Sequence, residues 1–216
     1  MWQLPLGLDD ARAGTRPLAP GAVLLAGFAL EDAARLFEDV AAVAAAAPFR
    51  HLETRGGFRM SVGMTNCGPL GWISDRRGYR YAGVDPLSGR PWPPMPASFR
   101  ALAARAAAEA GFAAFEPDAC LVNRYEPGAR LTLHQDRDEH DYGAPIVSVS
   151  LGLPATFLFG GDTRGGRPSR VPLAHGDVVV WGGPARLRFH GVAPIADGRH
   201  AATGACRINL TFRKAG

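Results

Sequence analysis

After Ala119 the chain changes character, and that change limits its fold more than any other feature. Eight short segments follow: ACLVNRY, RLTLHQD, PIVSVSLG, ATFLFG, RVPL, DVVVWG, RLRFHGV and CRINLTFR. Turn signals separate them, among them Glu126-Pro127-Gly128, Leu153-Pro154, His175-Gly176-Asp177 and Gly182-Gly183-Pro184. Short, closely spaced strands of this kind argue for an antiparallel double sheet or jelly roll. Two Ala-rich helices come first. Glu31 and Asp32 open EDAARLFEDVAAVAAAA, which Pro48 ends; Pro96 introduces ASFRALAARAAAEA, which Gly111 ends. The expected fold class is mainly β with flanking helices (α+β), in a single domain over residues 1–216.

Residues 1–20 mix Pro, Gly and charge and read as an extended arm or loop, and the apolar run Gly21 to Leu30 reads as a buried strand. Between the helices, residues 49–96 are dense in Gly, Pro, Arg and aromatics, which predicts loops and short hairpins. The segment is too long for an ordinary connector and suits a binding flap. Its Met64, Trp72, Tyr79 and Tyr81 lie among Arg76, Arg77 and Arg80. That mixture fits base stacking with phosphate contact, and it also fits an aromatic cluster that pins a loop to the core.

Composition excludes several classes. The net charge of +4, from 24 Lys+Arg and 20 Asp+Glu, permits an anionic partner without demanding one. Cys67, Cys120 and Cys206 are scattered and odd in number with no CxxC, so neither a disulfide framework nor a zinc knuckle is indicated. A reducing cytoplasm is the expected setting. The N-terminal stretch lacks a basic leader, and no apolar run reaches the roughly 18 residues of a membrane helix.

The chemistry begins at Leu131-Thr132-Leu133-His134-Gln135-Asp136. Strand alternation puts Thr132, His134 and Asp136 on one face. A bare His-X-Asp is commonly a solvated strand end, but a second histidine would complete the facial triad of non-haem Fe(II) oxygenases. His140 and His200 sit in polar loops and His175 in a tight turn, whereas His190 ends the alternating segment Arg186-Leu187-Arg188-Phe189. His190 is therefore preferred over His175. The last segment, Arg207-Ile208-Asn209-Leu210-Thr211-Phe212-Arg213, also alternates, with Arg207, Asn209, Thr211 and Arg213 on one face. Two inward guanidinium groups are costly unless anions meet them, and a dicarboxylate would meet both.

Seven motifs in order, MTNCGPLGW, GYRY, NRYEPGARLTLHQDRDE, PIVSVSLGLPATF, HGDVVVWGG, RLRFHGV and RINLTFR, resemble the AlkB family of Fe(II)/2-oxoglutarate dioxygenases. The resemblance implies a double-stranded β-helix (jelly-roll) core over about residues 119–213 and a nucleotide-recognition lid over about 49–96. It implies Fe(II) on His134, Asp136 and His190, with 2-oxoglutarate and O2 as cosubstrates. Arg207 would hold the distal carboxylate of 2-oxoglutarate and Arg213 would lie on its C1 side, with Asn123, Arg124, Tyr125 and Asn209 as further cosubstrate positions. Trp72 would sandwich the base against His134, Asp138 would face its exocyclic amine, and Tyr79, Arg80 and Tyr81 would contact the nucleic-acid backbone. Arg164 is a substrate-side position for which Arg167 or Arg170 could substitute, and Thr54 and Met64 are further lid positions. The implied activity is oxidative dealkylation of 1-methyladenine- and 3-methylcytosine-type bases, releasing succinate, CO2 and formaldehyde. Its expected substrate is alkylated single-stranded DNA, with double-stranded DNA and RNA as further candidates, and its expected state a monomer. The alternatives are an oxygenase acting on protein or a small molecule, and a non-catalytic metal-binding jelly roll.

Overall fold

The computed structural model describes residues 14–216. The chain opens with strands β1 (Gly14–Ala19) and β2 (Ala22–Ala26), then helix α1 (Ala33–Ala46). Strands β3 (Arg50–Glu53), β4 (Arg59–Cys67), β5 (Gly71–Asp75) and β6 (Gly78–Ala82) precede helix α2 (Ala97–Glu109). The remaining strands are β7 (Ala119–Tyr125), β8 (Leu131–His134), β9 (Ile146–Gly152), β10 (Ala155–Phe159), β11 (Ser169–Leu173), β12 (Val178–Trp181), β13 (His190–Val192) and β14 (Arg207–Arg213). Eight of them form one sheet in the order β1-β2-β12-β9-β14-β7-β4-β3. The order β11-β10-β13-β8 makes a second sheet, and β5 with β6 makes a separate hairpin. The core is the jelly roll expected.

Both faces of the large sheet are buried, each for a different reason. Ile208, Leu210 and Phe212 of β14, with Val147, Val149 and Leu151 of β9, pack under Leu36, Val40 and Val43 of α1 and Phe99, Leu102 and Ala106 of α2. The small side chains of α2 let it lie close to the sheet, and Gly111 closes it at φ +86°. On the inner face, Leu24, Ile146, Val179 and Trp181 meet Phe157, Phe159, Val171 and Leu173 of the small sheet. This apolar plug fills one end of the sandwich. The other end, where β14, β7 and β8 face one another, is lined by polar groups and stays open as a cavity of about 860 Å³.

Four local expectations need correction. Residues 14–19, read as part of an arm, form an edge strand that accommodates Pro17; residues 1–13 lie outside the described part. Glu31 and Asp32 precede α1 instead of occupying its first turn. Residues 49–96 are more than loops and hairpins, since β3 and the nine-residue β4 extend the large sheet. Finally, Arg186 to Phe189 is not a strand: a 3-10 turn spans Gly183–Ala185, and His190 begins β13 instead of ending a longer one.

Candidate active site

Backbone pairing brings the two site imidazoles together. His190 lies opposite His134 in the register of β13 with β8, with ring centroids 4.5 Å apart. The adjacent Gly191 makes this approach possible, because a Cβ there would meet the Leu131 carbonyl oxygen at 2.7 Å. Asp136 comes from the loop after β8 and reaches back, its Oδ1 3.6 Å from His134 Nε2 and its Oδ2 3.6 Å from His190 Nε2. Among the described residues this is the one group of three or more whose potential ligand atoms converge, all within 4.8 Å.

The donor set fits a divalent metal. The Nδ1–H of His134 donates to the Thr132 carbonyl at 2.8 Å, and that of His190 donates to the Arg188 carbonyl at 3.0 Å. Each bond selects the tautomer whose bare Nε2 points to Asp136, which is how histidine ligands are oriented in metal sites. Burial and the neighbouring His190 lower the His134 pKa to about 4, so this ring is neutral at physiological pH. Burial alone would raise the Asp136 carboxyl, but the Arg213 guanidinium holds it well below the usual carboxylate range. Two imidazoles and one carboxylate, with an open side, are the ligands of a facial triad.

A row of polar residues continues the site along β14 and β7. Arg207, Asn209, Thr211 and Arg213 all face the cavity, as do Asn123 and Tyr125. The Arg207 guanidinium is 1% exposed, lies over the Tyr125 ring and donates to Ser150 Oγ at 3.0 Å. Its Nε and Nη1 have no partner, and neither has Asn123 Oδ1. Burying donors in this state is costly, so a carboxylate is the natural complement. Asn209 is fully engaged by Ser148, Val149 and Thr211, which fixes its orientation.

Arg213 has a use that the sequence reading did not include. Its Nε and Nη2 donate to Asp136 Oδ2 at 2.8 and 2.6 Å, and Nε lies 3.4 Å from Glu139 Oε1. It therefore positions a metal ligand while itself lining the cavity. Arg124 departs from expectation. Strand alternation turns it away from Asn123 and Tyr125, and its guanidinium covers Phe49 on the other side. No cosubstrate role is retained for it.

The hairpin β5–β6 and the tip of β3–β4 form the opposite wall. Trp72 donates its Nε1–H to Asp138 Oδ2 at 2.9 Å, stacks on Tyr79 with centroids 5.5 Å apart, and is clamped at its backbone by Asn66. Thr54, Met64, Trp72, Tyr79, Asp138 and Arg164 all line the cavity, and Arg164 donates to the Leu133 carbonyl at 3.1 Å. Arg167 and Arg170 do not reach it. Arg80 is held by two hydrogen bonds to Asp75, and Tyr81 turns inward, donating its hydroxyl to Glu139 Oε1 at 2.6 Å. Neither side chain lines the cavity, and the Arg80 side chain stays about a third exposed outside it.

Glu139 had escaped sequence reading except as the last letter of its motif. Its buried carboxylate joins Tyr81, Arg213 and Arg186, the last at 3.2 Å, and so ties the β5–β6 hairpin to the metal centre. Tyr81→Phe is expected to lower unfolding free energy by about 1–3 kcal/mol, because a buried acceptor loses its donor. Urea denaturation would measure it, and an unchanged midpoint would show that Glu139 is satisfied by its arginines alone.

Comparison with known proteins agrees with this geometry. The model of the 2OG-Fe(II) oxygenase superfamily matches residues 21–213. The chain is 57% identical over 212 residues to the alpha-ketoglutarate-dependent dioxygenase AlkB of Salmonella typhimurium, covering 98% of each chain. It is 56% identical over 207 residues to the same-named protein of Escherichia coli, covering 96% of each. The chain belongs to the AlkB family of 2OG-Fe(II) oxygenases. A solved structure titled "The structure of OsALKBH1" superposes with a TM-score of 0.82 at 31% identity, covering 93% of this chain and all of that one. As an AlkB-family enzyme the protein is a dioxygenase that uses Fe(II), 2-oxoglutarate and O2. The two groups that orient its histidines, the carbonyls of Thr132 and Arg188, come from backbone and carry no signal in a sequence.

Proposed function

We propose that this AlkB-family enzyme removes N-alkyl groups from damaged bases in nucleic acid, with single-stranded DNA as the main substrate and RNA as a second. The observation that carries this reading is Trp72, an indole held by Asp138 and stacked on Tyr79 beside a His-Asp-His centre, inside a cavity of about 860 Å³. A rigid aromatic wall next to an oxidising centre suits a flipped base better than a flexible peptide.

His134, Asp136 and His190 would hold Fe(II), and Arg207 would receive the distal carboxylate of 2-oxoglutarate on its unpartnered Nε and Nη1. When bound together with O2, these groups would supply the oxidation: one oxygen atom of O2 ends in succinate as 2-oxoglutarate loses CO2, and the other hydroxylates the N-methyl carbon. The resulting hemiaminal loses formaldehyde and leaves the normal base. Trp72 and the His134 ring sandwich the base and place its methyl group. Asp138, held by Trp72 Nε1–H, favours the cationic charge that methylation gives 1-methyladenine or 3-methylcytosine. Such bases cannot pair, which lowers the cost of flipping them. Arg130, Arg137 and Arg164 line the same cavity and supply positive charge for phosphates. A non-catalytic module has no use for a buried, half-satisfied Arg207. We place the enzyme in the cytoplasm as a monomer; no helix among the described residues is long and apolar enough to cross a membrane.

The test is mass spectrometry of a methylated single-stranded oligonucleotide incubated with enzyme, Fe(II), ascorbate and 2-oxoglutarate. Loss of about 14 Da per methyl group is expected, since oxidation at the metal removes one CH2 unit. An unchanged mass alongside succinate release would point to a protein or small-molecule substrate. Trp72→Ala is expected to lower turnover of the oligonucleotide by about tenfold or more, given stacking of roughly 1–3 kcal/mol per base, while 2-oxoglutarate affinity changes little. Equal losses in both would remove Trp72 from the base-binding wall.

A further inference from the structure

Phe58 has no evident role in holding the fold. It is 76% exposed, the largest exposure of any large apolar side chain among the described residues. It sits at the tip of the β3–β4 hairpin and lines the rim of the active-site cavity. The tip is well built. Thr54 N–H donates to the Phe58 carbonyl at 2.9 Å, Phe58 N–H donates to Thr54 Oγ1 at 3.1 Å, and Gly57 N–H donates to the Thr54 carbonyl at 2.8 Å with φ +79°. The ring lies across Gly56, where an added Cβ would come within 3.3 Å of Phe58 Cδ2. Its backbone is thus fixed while its ring faces water.

Single exposed phenylalanines are ordinary on protein surfaces. The surroundings of this one are not, because three arginines lie on or beside the same hairpin tip. Arg55 and Arg59 flank it in sequence and are exposed, and Arg76 from the β5–β6 tip brings its Nη2 to 3.9 Å from where a Cβ on Gly57 would lie. Among the described residues none of the three has a carboxylate partner within ion-pair distance. An exposed aromatic face with unpaired arginines on the same hairpin tips, at the rim of the cavity proposed above to take the damaged base, matches the next unit of a nucleic-acid strand: a base to stack and phosphates to pair.

We propose that Phe58 is the stacking platform for the nucleotide adjacent to the damaged one, with Arg55, Arg59 and Arg76 holding the flanking phosphates. This rests on the functional reading above and deepens it. A platform at the rim holds the strand while the lesion alone enters the cavity, so recognition extends beyond one base without reading sequence.

A double-mutant cycle between protein and substrate tests it. The substrates are a five-nucleotide single strand with a central 1-methyladenine, and the same strand with abasic sites on both sides of the lesion. Phe58→Ala is expected to lower kcat/KM on the intact strand about tenfold, equivalent to about 1.4 kcal/mol and within the range of base–aromatic stacking. Wild type is expected to lose a similar factor on the abasic strand, and Phe58→Ala to lose nothing more there. Phe58→Trp should restore the intact-strand value, while Phe58→Leu should not. Equal losses by Phe58→Ala on both strands, no loss on the intact one, or rescue by leucine would each overturn the proposal. A wild-type enzyme inert toward both strands would instead overturn the functional reading beneath it.

Discussion

Asp136→Ala is expected to abolish Fe(II)-dependent succinate release. The carboxylate is one of three converging ligands, and it alone carries negative charge to the metal. Alanine would leave two imidazoles and a buried Arg213 that repels a cation. The same change also removes the main partner of Arg213, whose Nε and Nη2 both rest on Asp136 Oδ2. Breaking a buried pair from one side costs about 3–5 kcal/mol; Glu139 at 3.4 Å from Nε should hold the loss near the lower end. Asp136→Asn separates the two effects, since an amide oxygen can still accept from Arg213 but is a far weaker ligand. The asparagine variant should unfold near the wild-type temperature and still release no succinate above background. Persistent turnover in either variant would take Asp136 out of the ligand set, and a calorimetric scan beside the succinate assay reads both effects.

Much of this site could be read from spacing because strand periodicity is strict where both faces are buried. The segment Arg207 to Arg213 is buried at every position, so any slip would move charge into the helix-facing core; its alternation could only mean one thing. The helices were equally legible, with Pro and Gly marking their ends. His190 was chosen correctly for the cluster, although the strand invoked for it does not exist. Four alternating residues from Arg186 to Phe189 imitate a strand, yet Pro184 and Gly183 start a 3-10 turn, and Arg186 is drawn inward by Glu139 and the carbonyls of Asp136 and Ala144. Asp136 likewise lies past the end of β8, and backbone and Arg213 hold it where alternation alone was expected to. Strand β4 was hidden by its polar residues, Thr65 and Asn66, whose partners Ala47 and Trp72 lie outside the strand. Glu139 was least legible of all. Its three partners come from residues 81, 186 and 213, and no local pattern announces a buried carboxylate whose justification is scattered along the chain.

Arg207→Met should uncouple stability from cosubstrate binding. In the free protein the Arg207 guanidinium is 1% exposed, has one hydrogen bond to Ser150, and leaves Nε and Nη1 without partners. Burial lowers its pKa from the usual arginine value, the direction expected of a cation that lacks a full complement of acceptors. Methionine of similar length would keep the contact with the Tyr125 ring and remove the unmet donors, and replacing buried charge by an apolar group of similar volume is often neutral or stabilising by about 1–4 kcal/mol. The variant without 2-oxoglutarate should therefore unfold at or above the wild-type temperature. Cosubstrate affinity should move the other way. Charge-assisted hydrogen bonds contribute about 1.5–3 kcal/mol each, so losing two of them weakens 2-oxoglutarate binding by roughly 100-fold or more. Wild type should gain unfolding temperature when 2-oxoglutarate is added with a redox-inert divalent metal, because a ligand that binds only the folded state stabilises it by mass action. The methionine variant should gain nothing at the same concentration. If it were instead destabilised without cosubstrate, Arg207 would be part of the framework of β14, and the orphaned nitrogens would not mark a carboxylate site.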